Sequence, residues 1–128
     1  MRGKRSMALV SGLTGLIMAV APLASANDAD VIREGSCSGR SDWKLKLSPE
    51  DGRIEVEYEV DQNRVGDTWK IRLKHDGKRF FRGRRTTKGP SGSFELRRVE
   101  ANHRGKDGFR AKAINLRTGE VCRGRARF

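Results

Sequence analysis

Residues 69–77 read Trp69-Lys70-Ile71-Arg72-Leu73-Lys74-His75-Asp76-Gly77. Trp69, Ile71 and Leu73 alternate with Lys70, Arg72 and Lys74. Successive side chains of a strand point to opposite faces, so this run buries one face and wets the other. Asp76-Gly77 follows, a strong signal for a two-residue turn, whose central positions favour positive φ. A strand running into a tight hairpin predicts antiparallel sheet.

The same period of two extends in both directions. Upstream, Trp43, Leu45 and Leu47 alternate with Lys44 and Lys46, and Pro49-Glu50-Asp51-Gly52 has turn chemistry. Ile54, Val56, Tyr58 and Val60 then alternate with Glu55, Glu57 and Glu59, before a polar loop from Asp61 to Asp67. Downstream, Phe80 and Phe81 lie in a shorter strand ending near Thr87, and Lys88 to Gly92 is a Pro/Gly loop. Phe94 and Leu96 bracket Glu95, with Arg97 after them; Phe109, Ala111 and Ala113 alternate with Arg110 and Lys112 beyond a loop from Glu100 to Gly108. Thr118-Gly119 turns the chain into a last strand, with Cys122, Gly124, Ala126 and Phe128 on one side and Arg123, Arg125 and Arg127 on the other. About seven short strands with turn signals every 8–12 residues predict an all-β antiparallel sandwich. No helix of useful length is visible after the leader.

The N-terminus has different grammar. Arg2, Lys4 and Arg5 precede an apolar stretch from Met7 to Ala24, and Ala24-Ser25-Ala26 is an A-x-A cleavage site. Residues 1–26 are therefore expected to be a signal peptide. A retained anchor is the weaker reading, and no lipobox cysteine stands at the cleavage point. Met7 as an alternative start would leave a poorly charged n-region. Residues 27–36 are expected to be a loose lead-in and residues 37–128 one sandwich domain, with no transmembrane anchor after cleavage and an extracellular or cell-wall location. Cys37 and Cys122 are the two cysteines. In an exported protein an even pair reads as a disulfide. Closing so long a loop stabilises by roughly 4 kcal/mol on chain-entropy reasoning. Two cysteines alone make no zinc site, and His75 and His103 are not spaced with them as ligands, so neither metal nor cofactor is assigned.

Three stretches resemble an immunoglobulin-type domain. Trp69 to Lys78 resembles the strand C tryptophan and its turn, Phe94 to Val99 resembles strand E, and Asp107 to Ala113 resembles the strand F motif. Phe109 stands where that family often has tyrosine. Ala111 replaces the strand F cysteine, with Val56 or Tyr58 at its partner position, so the usual intersheet disulfide is absent. Cys37 and Cys122 would instead tie the first strand to the last. Over nearly all of residues 27–128, the frame Cys37…Trp43…Asp51-Gly52-Arg53-Ile54-Glu55-Val56…Val60-Asp61…Gly66…Trp69…Pro90-Ser91-Gly92-Ser93-Phe94…Thr118-Gly119-Glu120…Cys122 resembles small secreted proteins predicted from actinobacterial genomes, a family without an assigned activity. That likeness implies export and the two-cysteine pattern and nothing about mechanism.

The formal charge is +12, and removing residues 1–26, with three positive charges and no negative one, leaves +9. In an immunoglobulin-type sandwich, strands G, F and C share one sheet. Their outward residues would be Arg123, Arg125 and Arg127, then Arg110 and Lys112, then Lys70, Arg72 and Lys74, with no carboxylate among them. The run Lys78 to Arg85 extends this face in the same reading. The other sheet is expected to be balanced, with Glu55, Glu57 and Glu59 facing Lys44 and Lys46, and Glu95 beside Arg97. Eight cations on one face attract anions and make binding salt-dependent. The plainer reading is a solvated surface whose charge keeps edge strands from pairing.

The leading expectation is a non-enzymatic module that binds an anionic cell-envelope polymer, such as a teichoic-type wall polymer or lipid headgroups, or an acidic protein. Nucleic acid fits less well, because few aromatics are available for base stacking beyond Phe80 and Phe81. The alternative is a structural or interaction domain working through loops or an edge strand. A small secreted ribonuclease ranks third: His75, His103 and Glu120 supply residue types, but no spacing places them together. Trp43 and Trp69 are in phase with apolar neighbours and are expected in the core.

Overall fold

The computed structural model describes residues 29–128; the leader expected over residues 1–26 lies outside the described residues. Eight strands follow in order: β1 (Val31–Ser36), β2 (Asp42–Glu50), β3 (Arg53–Asp61), β4 (Thr68–His75), β5 (Lys78–Thr86), β6 (Ser93–Ala101), β7 (Gly108–Asn115) and β8 (Val121–Arg127). They form two four-stranded antiparallel sheets, β1-β2-β3-β6 and β5-β4-β7-β8. With β2 as strand A, β8 becomes strand G. The second sheet is then C′-C-F-G and the first A-B-E with β1 added at the A edge, the connectivity of an immunoglobulin-like sandwich with one extra strand.

One strand exceeds the expectation. The lead-in expected over 27–36 contains β1, which pairs along its whole length with β2 from Val31↔Leu47 to Ser36↔Asp42. Its sequence lacks clean alternation, so the neighbouring strand supplies the order that local pattern does not.

The period of two is translated directly into burial. Leu45, Leu47, Ile54, Val56, Tyr58, Val60, Trp69, Ile71, Leu73, Phe94, Leu96, Phe109, Ala111 and Ala113 are all buried in one core. Tyr58 ties the sheets together, its hydroxyl donating to the Cys122 carbonyl at 3.1 Å. Beside it the disulfide Cys37–Cys122 joins the end of β1 to β8 across a sequence separation of 85. Such a bond fits a protein of an oxidising environment. Among the described residues no helix is long and apolar enough to cross a membrane.

Trp69 is fully buried as expected, but Trp43 is only partly so. It points inward from β2 at the margin of the sandwich, where its indole lies between Gly35 of β1 and Gly124 of β8. A Cβ on either glycine would stand 2.8 Å from the ring. Both strands thus carry glycine where the indole passes.

At the end carrying the 62–67 and 116–120 loops, Asp67 is the hub. Its carboxylate accepts from Arg117 Nε and Nη2, each at 2.8 Å, from Asn115 Nδ2 at 2.9 Å and from Gln62 Nε2 at 2.6 Å. Gln62 in turn accepts from Trp69 Nε1 at 3.0 Å. The Arg117 hydrogen bonds, then those of Asn115 and Gln62, hold the Asp67 carboxyl well below the usual carboxylate range against the opposing effect of burial. The loop from Asp61 to Asp67 is therefore anchored from below.

Candidate functional site

The outer face of the second sheet is the most strongly charged feature of the fold. Strand register places its cations in rows. Arg72 of β4 stands opposite Lys112 of β7, and Lys112 opposite Arg123 of β8. One step along, Lys74 faces Arg110, which faces Arg125. Neighbouring strands lie about 4.8 Å apart and same-face residues roughly 6.7 Å apart along a strand. The result is a two-dimensional cation grid.

Six of the eight residues expected on this face surround a single open cleft of about 470 Å³: Arg72, Lys74, Arg110, Lys112, Arg123 and Arg125. Ala111, Gly124 and Trp43 complete its lining. The other two sit to either side. Lys70 lines an adjoining 250 Å³ depression with Arg72 and Lys112, while Arg127 lines a 760 Å³ one with Lys74, Arg110 and Arg125.

The basic run on β5 joins the grid. Arg82 pairs with Arg72, Arg84 with Lys70 and Arg79 with Lys74, so three more arginines bring the cations to eleven. A register shift between Leu73 and Lys74 makes room for Phe80. Residues of opposite parity on β5 turn inward, and there Arg85 and, from β6, Arg98 lie over the Phe81 ring at 5.4 and 4.5 Å.

Charge pairing separates the two sheets. Across the first sheet, Lys44 meets Glu59 at 4.0 Å, Lys46 meets Asp30 at 3.8 Å, and Arg97 pairs with Glu55 and with Glu50. Among the described residues none of the eleven cations of the second sheet makes an ion pair. No carboxylate lines the 470 Å³ cleft or the 250 Å³ depression. The crowding is felt by Lys112, whose pKa is pushed down first by Arg123, then by burial and by Arg72 and Lys74. Like charges packed this way cost a few tenths of a kcal/mol per directly opposed pair. An anion laid across the grid removes that repulsion.

The histidines depart from expectation. No spacing in the chain suggested that His75 and His103 meet, yet their rings stack with centroids 4.3 Å apart. His75, beside the β4–β5 turn, is only 4% exposed. It continues the inward parity of Trp69, Ile71 and Leu73, and residues 102–107 fold over it. Burial acts to lower its pKa, but hydrogen bonds to Asp107 and Glu100 and the charge of Asp76 outweigh it and raise the pKa above the ordinary histidine value. Glu120, the third residue type considered for acid–base work, lies elsewhere. Its carboxylate accepts from Gly39 N and from the backbone and hydroxyl of Ser41, so it holds the 37–41 turn.

Comparison with protein-family models, with curated proteins and with solved structures found no match.

Proposed function

We propose that the protein is a secreted, non-enzymatic binding module that holds an anionic cell-envelope polymer on the outer face of the second sheet. One observation carries the reading: eleven cations in register on four adjacent strands, with, among the described residues, no ion pair to any of them and no carboxylate in the central cleft. A protein surface that only needs solubility intersperses both signs, as the first sheet does. Here the charge is segregated at a cost, which an anionic ligand offsets. The grid is broad and open, suited to an extended chain with repeated anionic groups. The leader-like residues 1–26 and the disulfide support an extracellular setting.

The experiment is retention of the purified domain on isolated bacterial cell walls, with and without their anionic polymers, across a salt series. Retention that requires the polymer and falls steeply with salt supports the reading. Retention indifferent to both overturns it. The second reading is a protein-interaction domain working through loops or an edge strand. It is favoured by Val65 and Leu116, exposed on neighbouring loops, and by Ile32 on edge strand β1. It calls for weak salt dependence and a one-to-one complex.

A further inference from the structure

At the opposite end of the sandwich from Asp67, the β4–β5 turn and residues 102–107 close over a compact cluster of side chains. His75 ends β4, Asp76 begins the turn, and His103 and Asp107 come from the β6–β7 connection. One donor atom from each lies within 4.8 Å of all the others. His75 Nε2 is 2.7 Å from Asp107 Oδ1 and 3.6 Å from Asp76 Oδ2. His103 Nδ1 is 2.8 Å from Asp76 Oδ2 and 3.3 Å from Asp107 Oδ1. A tetrahedral ion with ligands at about 2.0–2.1 Å has ligand–ligand edges of roughly 3.3 Å. The four distances bracket that value.

We propose that His75, Asp76, His103 and Asp107 form a binding site for a divalent cation of the zinc class. Three further observations support it. The first is orientation: His75 Nδ1 lies 3.0 Å from Glu100 Oε1. With Nδ1 held toward Glu100, Nε2 is the ring nitrogen that faces the Asp107 carboxylate at 2.7 Å. A proton or a metal ion can bridge these two atoms, and the histidine–carboxylate bond behind Nε2 is the usual support of a zinc-bound imidazole. The stacked Phe109 ring, 4.3 Å away, fixes the same imidazole from one side.

The second is an orphaned atom. Asp107 is fully buried, and its Oδ2 has no hydrogen-bond partner. A buried carboxylate oxygen without a partner is costly, and a cation held by both oxygens of Asp107 would complete it, since Oδ1 is the one that faces the histidines. The third is charge. In a protein of net charge +12, the carboxylates of Asp76, Asp107 and Glu100 converge here, and among the described residues their ion-pair partners are the two histidines alone. A dication matches that concentration of negative charge.

Asp76 is held ready by Gly108 N, which donates to its Oδ1 at 2.7 Å. His103 is the most exposed of the four ligands. Its ring lies within 5° of parallel to His75, so its lone pair does not yet converge with that of Nε2. Its side chain is 51% exposed, so ion binding would call for a turn of this ring out of its stack on His75. With four protein ligands the site is closed, as in structural zinc centres.

The test uses the tag-free, disulfide-intact protein, stripped with chelator and titrated with Zn²⁺ alone by calorimetry. One equivalent is expected to bind, and Co²⁺ is expected to give the visible absorption of a tetrahedral nitrogen–oxygen site. His103→Ala removes a half-exposed side chain and is expected to keep the fold while weakening Zn²⁺ binding at least tenfold. Glu100→Gln is expected to weaken it by roughly 10–100-fold through the second shell. Failure to bind one equivalent at tens of micromolar would show that a proton alone bridges His75 and Asp107, and overturns the proposal. Equal binding by wild type and His103→Ala places the metal elsewhere and overturns it too.

Discussion

Replacing Arg110, Arg123 and Arg125 together by alanine removes half of the six cations around the central cleft. Each neutralised anionic group of a single-chain polyanion adds about 0.7 to the slope of log K against log salt. Six contacts therefore give a slope of about −4, and affinity falls roughly 300-fold between 50 and 200 mM salt. The triple variant is expected to show a slope of about −2 and to lose only some 20-fold over the same range. Anisotropy of labelled linear polyphosphate, titrated at several salt concentrations, reads both numbers. Stability gives an independent check. All three arginines are exposed, and Arg110 and Arg125 stand directly opposite one another. Removing opposed like charges relieves a few tenths of a kcal/mol, so the variant is expected to unfold at the same or slightly higher urea concentration. An unchanged salt slope, or a binding loss that merely tracks a loss of fold, refutes the assignment of this face.

The fold makes three further predictions. Gly124→Ala drives a methyl into the indole of Trp43, which Gly35 blocks from behind, so urea denaturation is expected to show a loss of about 1–3 kcal/mol. Substituting serine at Cys37 and Cys122 frees a long loop in the unfolded chain, and the same assay is expected to report a loss of about 2–5 kcal/mol. Because Arg117, Asn115 and Gln62 depress the Asp67 pKa in the folded protein, its stabilising contribution is present above the ordinary aspartate pKa near 4 and lost as pH falls below it. Asp67→Asn is expected to flatten that acid limb of the stability curve, and an equally steep limb in the variant contradicts the role given to Asp67.

Much of this architecture is legible from alternation alone. Where one face is buried and the other wet, as along residues 53–61 or 69–74, side-chain parity predicts both the strand and its inward set. The same parity, applied to the strands now numbered β4, β7 and β8, places the eight cations on one face, and the observed register arranges them in rows. Four features lay beyond that reading for physical reasons. β1 has little pattern of its own, and its order comes from pairing with β2. Trp43 follows the inward phase but sits at the margin of the sandwich, where nothing local reports how far the facing sheet extends. His75 shares the parity of Leu73, a signal that was available. Its burial, however, depends on residues 102–107 folding back over the β4–β5 turn, a contact remote in sequence. Asp67 is of the same kind: a polar residue in a polar loop whose three strongest partners lie on Gln62, Asn115 and Arg117.

The central claim is that the outer face of the second sheet is the working surface. Amide and arginine side-chain NMR spectra, recorded while linear polyphosphate is titrated into the protein, test it most directly. The account expects shifts concentrated at Arg72, Lys74, Arg110, Lys112, Arg123 and Arg125, spreading to Arg82 on β5 and reversing with added salt. Shifts confined to residues 62–67, 87–92 and 116–120, or none at concentrations where cell walls retain the protein, would contradict it.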